Sequence, residues 1–202
     1  MKALLTVVLF FMVVVPAWAE ADPLASAATL GLRVGMNVPT STLSSGVLPD
    51  IDIGYRHKMD GFAIEPALGW QTWRGNVAGT GSSSQLVNGQ GDFEQAVSAT
   101  VFEARVRGWY DLGDSGALLG ALHAGSMQAS TRQESFGQVW EEEGGNVTLA
   151  LYLGYAYPIA EAYGSAQALV GYRHAPADFL TTGSANLSGF QLLIGWQVAY
   201  PF

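Results

Sequence analysis

The end of the chain alternates. Between Leu192 and Phe202, the residues Ile194, Trp196, Val198, Tyr200 and Phe202 fall on every second position. Successive side chains of a strand point to opposite faces, so these five line one apolar face and Gly195, Gln197 and Ala199 line the other. How many such segments the chain holds, and what each face meets, decides the fold.

The N-terminus is set aside before strands are counted. Lys2 supplies a short positive region, residues 3–15 are an apolar run, and Pro16 ends it. Ala17-Trp18-Ala19 fits the small-x-small cleavage rule, with Ala19-Glu20-Ala21 as a second site. Residues 1–19 are therefore expected to be a cleaved signal peptide, and residues 20–28 a short lead into the fold. The apolar run is too short for a spanning helix; the alternative is an N-terminal anchor. The chain has no cysteine, which excludes a lipoprotein and a disulfide framework.

Composition narrows the class. The chain is 49% hydrophobic and only 13% charged, yet after the leader no run reaches the ~18 apolar residues of a membrane helix. The apolar residues are dispersed, as alternation over many short strands produces. Net charge is -8, with nine scattered Lys and Arg, so binding a nucleic-acid backbone has no electrostatic basis.

Eight strand-like segments can be read, at residues 29–38, 47–56, 62–73, 97–110, 117–127, 147–157, 162–173 and 188–202. In the first, Leu30, Leu32, Val34, Met36 and Val38 oppose Gly31, Arg33, Gly35 and Asn37. In the second, Ile51, Ile53 and Tyr55 oppose Asp50, Asp52 and Gly54. Pro66 interrupts the third and predicts a local bulge. The fifth is Gly- and Ala-rich and the seventh is mixed, so the inward face of both is ambiguous, with His123 in the fifth and Gln167 and Arg173 in the seventh inward in one reading. Short turns at residues 58–61, 111–116 and 158–161 alternate with long connections at 39–46, 74–96, 128–146 and 174–187.

Alternation does not say which face is inside. Charge does. Arg33, Glu65, Glu103, Arg105 and Arg107 lie in mid-strand opposite the apolar face. On a lipid-facing wall each Arg would cost ~2–4 kcal/mol. An interior ion network of these five is therefore expected, with hydrogen bonds from Tyr152, Gln191 and Gln197. Glycines 31, 35, 69, 154 and 195 would make room for the long side chains. Such a network plugs the barrel; the alternative is a narrow pore lined by the same charges.

Taken together, the apolar wall, the loop asymmetry and the terminal strand resemble the small eight-stranded outer-membrane β-barrels. That superfamily includes the OmpA transmembrane domain, OmpX, OmpW and the neisserial opacity proteins. The resemblance implies an all-β, antiparallel, up-and-down transmembrane barrel over residues 29–202, in the cell outer membrane with both termini periplasmic. Trp196, Val198, Tyr200 and Phe202 resemble the terminal signal read by the barrel-assembly machinery, with Pro201 a departure from it. Tyr55, Tyr110 and Tyr157 would form an aromatic girdle at one rim, and Trp70 and Trp73 at the other. The implied partners are outer-membrane lipid, lipopolysaccharide and an external ligand at the loops, chiefly residues 74–96 and 128–146; no cofactor or metal is expected.

Three functions follow in order: a structural or surface-interaction barrel, a small-solute channel of the OmpW kind, and a lipid A-modifying enzyme. The last is weakened because the deacylase His-x-Ser-Asn motif is absent: His174 is followed by Ala175-Pro176-Ala177, and His57 and His123 have no recognisable Ser or acid nearby. Glu141-Glu142-Glu143 reads as a solvated loop, or as carboxylates for divalent cations that bridge to lipopolysaccharide phosphates. Residues 79–84 are a flexible Gly/Ser segment, and two glycosylation sequons, at Asn146 and Asn186, are chance matches.

Overall fold

The computed structural model describes residues 25–41, 45–81, 91–135, 138–160, 164–179 and 183–201. The expected signal peptide, residue Phe202 and the tip of the long connection at 82–90 lie outside them. The described chain is all-β apart from one 3-10 turn at Gly113–Ser115. Its strands are β1 (Ala27–Pro39), β2 (Gly46–Met59), β3 (Phe62–Gly81), β4 (Gly91–Asp111), β5 (Ala117–Ser135), β6 (Gln138–Ala160), β7 (Gly164–His174), β8 (Pro176–Phe179), β9 (Gly183–Asn186) and β10 (Gly189–Pro201).

Eight of the ten strands close a ring. Each of β1 to β6 pairs antiparallel with the next, β7 pairs with β10, and β10 pairs with β1 over the full register Ala27↔Pro201 to Pro39↔Gly189. This is the up-and-down meander that alternation implied. Closure leaves the ring no free edge. The remaining pair, β8 and β9, is a small hairpin in the connection before β10; it touches the barrel through the Gly145↔Asp178 pairing.

The wall is inside-out relative to a soluble barrel. Val34, Ile53, Leu68, Phe102, Val106, Leu122, Leu151, Leu153, Val170 and Ile194 all point outward and are more than half exposed, while Arg, Asp, Glu and Gln side chains are buried within. Only a hydrocarbon solvent makes that arrangement favourable. Among the described residues no helix is long and apolar enough to cross a membrane.

Four strands are longer than their hydrophobic pattern. The expected loops at 74–96 and 128–146 are largely paired strand: β3 and β4 stay in register from Arg74↔Ser98 to Gly81↔Gly91, and β5 and β6 from Gln128↔Gly145 to Ser135↔Gln138. The β4–β5 ladder also continues to Phe93↔Ser135. Strands β3 to β6 therefore rise past the ring as one continuous sheet. Where the outward face is apolar the strands face lipid; at Ser98, Ser130, Arg132 and Glu141 it is polar, and the sheet has left the lipid.

Pro66 does not make the expected bulge. On the β2 side the ladder lapses between Gly54↔Ala67 and His57↔Ile64, yet both strands advance by the same three residues, so the register is kept. A proline has no N–H to donate, so it removes a rung without inserting a residue. The register shift lies instead between Pro158 and Ala160 in β6.

Candidate functional site

The interior is built from inward positions on every ring strand. The structure brings Arg33, Glu65, Glu103, Arg105 and Arg107 together and adds Asp50, Asp52, Arg56, Arg173 and His123, all at most 5% exposed. Asp52 is the hub. Its carboxylate accepts from Arg33, from Arg105 Nη1 at 2.9 Å and from Arg107 at two points, one of them at 3.0 Å. Asp50 accepts from Arg33 Nη1 at 3.1 Å and from Arg105.

Two further carboxylates extend the network toward opposite sides. Glu65 takes Arg107 Nη1 at 2.6 Å, Arg56 Nε at 3.1 Å and the Gln197 amide at 2.7 Å. Glu103 takes Arg105 Nε at 3.0 Å and Arg173, and sits 3.1 Å from His123 Nδ1. Arg173 also reaches the Tyr152 hydroxyl at 3.2 Å, which donates to Gln191. Gln167 accepts from Arg33 Nη2 at 2.7 Å. Counting strands, β1, β2, β3, β4, β5, β6, β7 and β10 each contribute a member.

Glycine makes the space. A Cβ on Gly69 would fall on the Arg105 guanidinium, and one on Gly31 would stand 2.7 Å from both Arg33 Nη2 and Asp52 Oδ1. Burying so many charges is tolerable only because each finds opposite charge and hydrogen bonds.

Apolar layers bound the network on both sides. Toward the chain termini, Trp109, Ala63, Ala117, Leu119 and Ala156 are buried, and the Arg56 guanidinium lies 3.7 Å over the Trp109 ring. Toward the long hairpins, Leu48, Trp73, Val97, Val101, Met127 and Leu193 form a small core with Ala177 and Phe179 of β8. Asn146 Nδ2 donates to Asp178 at 2.9 Å and helps hold that hairpin.

Trp73 corrects the expected girdle. It is 5% exposed and points inward, while Trp70 is half-buried on the outer face. Residues three apart cannot share a face in a regular strand, so only one of the two can meet lipid. Tyr55, Tyr110 and Tyr157 are exposed on the outer wall near the end that holds the termini, as is Tyr200, which shares a rung with Ala28 and Tyr55. Trp196 and Val198 are half-buried on that wall.

The Glu141–Glu143 run is split by its strand. Glu141 and Glu143 lie across from Arg132 and Ser130 on the outer face, and Glu142 opposite Thr131 on the inner one. Glu141 is bonded to Arg132 at 2.8 Å. The run is therefore no loop, and among the described residues no cluster of three His, Cys, Asp or Glu is placed to hold a metal.

No protein-family profile and no curated protein sequence matches the chain. Its likeness to solved structures is distant. Neisserial surface protein A is 14% identical, with a TM-score of 0.43, over 88% of this chain and 97% of that one. Ail, the attachment invasion locus protein of Yersinia pestis, solved with the heparin analogue sucrose octasulfate, is 9% identical with a TM-score of 0.43, over 85% and 97%. A second structure of Ail is 10% identical with a TM-score of 0.38 over the same shares.

His174 has a serine nearby that was not visible as a motif. Ser188 Oγ lies 3.5 Å from His174 Nδ1. The serine is 1% exposed and accepts the Ala175 N–H at 2.9 Å, so it fastens the start of the β8 hairpin to the start of β10. The hydroxyl is closed to solvent and its 3.5 Å approach to His174 is at the outer limit of a hydrogen bond.

Proposed function

We propose that this chain is an outer-membrane barrel whose interior is sealed and whose work is done on the tall sheet formed by β3 to β6. The observation that carries the reading is the charge network that reaches all eight ring strands. A solute path through it would have to break several buried ion pairs at once, each costing several kcal/mol. Side chains fill an eight-stranded ring of this size. The tall sheet, by contrast, presents polar side chains on a rigid backbone beyond the lipid, which suits recognition of an external ligand.

In this reading both termini and the short turns face the periplasm, the tall hairpins face outward, and residues 1–19 direct export. Trp196, Val198, Tyr200 and Phe202 are read by the assembly machinery. Lipopolysaccharide surrounds the upper wall. Catalysis on lipid A is not assigned, because the His174–Ser188 pair has a structural task.

The test is electrical. The folded mature chain is placed in a planar lipid bilayer and its current recorded. Silence, with folding shown by protease resistance, is the expected result. Discrete steps that change with Glu65→Ala would replace the sealed barrel with the channel reading.

A further inference from the structure

One rung of the tall sheet carries opposite charges that cannot meet. Arg74 on β3 is opposite Ser98 on β4, Ser98 is opposite Ser130 on β5, and Ser130 is opposite Glu143 on β6. Arg74 and Glu143 are exposed on the outer face, and the side chain of neither has an ion pair or hydrogen bond among the described residues. Three strand spacings, about 14 Å, separate them. The floor between them is low: the Ser98 and Ser130 hydroxyls join at 2.7 Å, and Ala96 and Thr100 flank Ser98 along β4. The result is an outer groove with a cation on its β3 wall and the carboxylates of Glu141 and Glu143 on its β6 wall.

A membrane restricts how two such grooves can face each other. Copies inserted the same way up are related by a two-fold axis along the membrane normal. Placed at the β4–β5 seam, that axis sets β3 against β6 of a second copy and β4 against its β5. Arg74 then meets the second copy's acidic β6 wall, and the reciprocal contact forms on the other side of the axis. Arg132, a long outward side chain on β5, faces the small residues Ala96, Ser98 and Thr100 across the axis. Of the three seams in the tall sheet, only this one gives both Arg74 and Glu143 a partner of opposite sign. An axis at β3–β4 leaves Arg74 against Ser98, and one at β5–β6 leaves Arg74 outside the contact.

Below the groove the same seam enters lipid. There β4 presents Phe102, Ala104, Val106, Gly108 and Tyr110 outward, and β5 presents Leu118, Gly120, Leu122, Ala124 and Ser126. The rungs Ala104↔Ala124 and Gly108↔Gly120 carry little or no side chain, and a Cβ added at Gly108 or Gly120 would meet nothing within 4 Å. Val106 and Leu122 stand between these hollows. With β4 against the second copy's β5, each of these knobs has a hollow one step along the facing wall. Lipid gives two apolar walls no hydrophobic reason to adhere, so contact depends on close packing, which small residues permit, as between membrane helices. The charges select the seam, and the low rungs let the walls close beneath it.

We propose that the outer face of β4 and β5 is the interface of a homodimer, in which Arg74 of each copy pairs with the acidic β6 wall of the other. The interface is isologous, because both copies give the same face. Its two reciprocal charge contacts set partner and orientation more than they set affinity. The mixed charge of the groove is what a self-complementary surface requires: a groove of one sign would repel its own copy. The proposal rests on the reading of the chain as an outer-membrane barrel, since a shared orientation in the membrane is what selects the axis.

The experiment uses the full mature barrel in phosphatidylcholine vesicles. The chain has no cysteine, so Asp114→Cys, in the exposed turn between β4 and β5, takes a single dye. Energy transfer between donor- and acceptor-labelled copies reads association as lipid is added. Transfer above the random level is expected, with bleaching in two steps. Arg74→Glu and Glu141→Arg/Glu143→Arg should each weaken association on the order of tenfold, because like charges then face each other. An equimolar mixture of these two variants should regain it, because every reversed charge meets its opposite. Gly108→Val/Gly120→Val, which raises the low rungs, should also weaken it, and Lys58→Glu beside the β2–β3 turn should not. Transfer at the random level for the wild type, full transfer by Arg74→Glu, an equal loss in Lys58→Glu, or a mixture as weak as its components would overturn the dimer. Protease resistance reports insertion of each variant. A chain that fails to insert refutes the membrane reading, whereas an inserted barrel that stays single refutes only the dimer.

Discussion

Asp52 is where the sealed interior can be tested most directly. One carboxylate accepts hydrogen bonds from three arginines, Arg33, Arg105 and Arg107, at a position 2% exposed. Asp52→Ala removes the negative charge and keeps the three positive ones. Each arginine retains a second carboxylate: Asp50 for Arg33 and Arg105, Glu65 for Arg107. The loss is therefore that of one partner from a buried network, about 3–5 kcal/mol, rather than three such losses. With a urea slope of roughly 2 kcal/mol per molar, the unfolding midpoint should fall by about 2 M. Tryptophan fluorescence of the barrel in lipid vesicles, scanned in both directions to establish equilibrium, reads the midpoint. Glu141→Ala is the control, because its pair with Arg132 is exposed and should shift the midpoint by no more than about 0.5 M. An Asp52→Ala midpoint as close to wild type as that control would refute the reasoning: the carboxylate would then be solvated by water already within the barrel, and the interior would not be sealed.

Other expectations test separate parts of the structure. Leu153→Arg places a cation on an outer position 66% exposed and should destabilise the vesicle-inserted barrel by ~2–4 kcal/mol, measured by urea unfolding; a neutral effect would mean the wall does not face hydrocarbon. Gly69→Ala drives a methyl into the Arg105 guanidinium and should cost about 1–3 kcal/mol in the same assay, whereas Gly120→Ala, into open space, should cost far less. Among single-tryptophan variants, brominated lipid should quench Trp70 strongly and Trp73 weakly, since only the first lies on the outer face. Ser188→Ala should leave the mass of lipid A in whole cells unchanged; an altered mass would restore the His174–Ser188 pair as a candidate enzyme site.

The period-two pattern carried the ring: all eight of its strands and their inward residues were legible wherever one face was apolar and the other was not. It failed where that contrast vanished. Above the lipid, Ser98, Ser130 and Arg132 point outward and Gln95, Thr131 and Gln133 inward, so both faces are polar and the segments read as loops. Pairing persists there through backbone hydrogen bonds, to which hydropathy is blind. The interior was legible as a set of residues but not as a set of partners. Asp50 and Asp52 alternate inward with Ile51 and Ile53, yet their ties to Arg105 span 55 and 53 residues and depend on register across three strands. The ambiguous faces of β5 and β7 have the same origin: Ala and Gly on both sides leave no contrast, and only the partners of His123 and Arg173 decide which way those strands turn.

This division of labour constrains where function can reside. Inside the ring a substitution disturbs several buried partners, as the contacts of Asp52 show. On the outer face of the tall sheet the ladder is held by main chain, and Arg74, Ser98, Ser130, Arg132 and Glu141 can change with little effect on folding. Surface substitutions of that kind usually stay within about 0.5 kcal/mol. The barrel can therefore alter what it recognises without altering what holds it together. Conversely, stability lost on substituting Arg74 or Arg132 in lipid-free detergent would mean the tall sheet depends on those side chains. The outer groove would then be part of the scaffold instead of a surface free to bind.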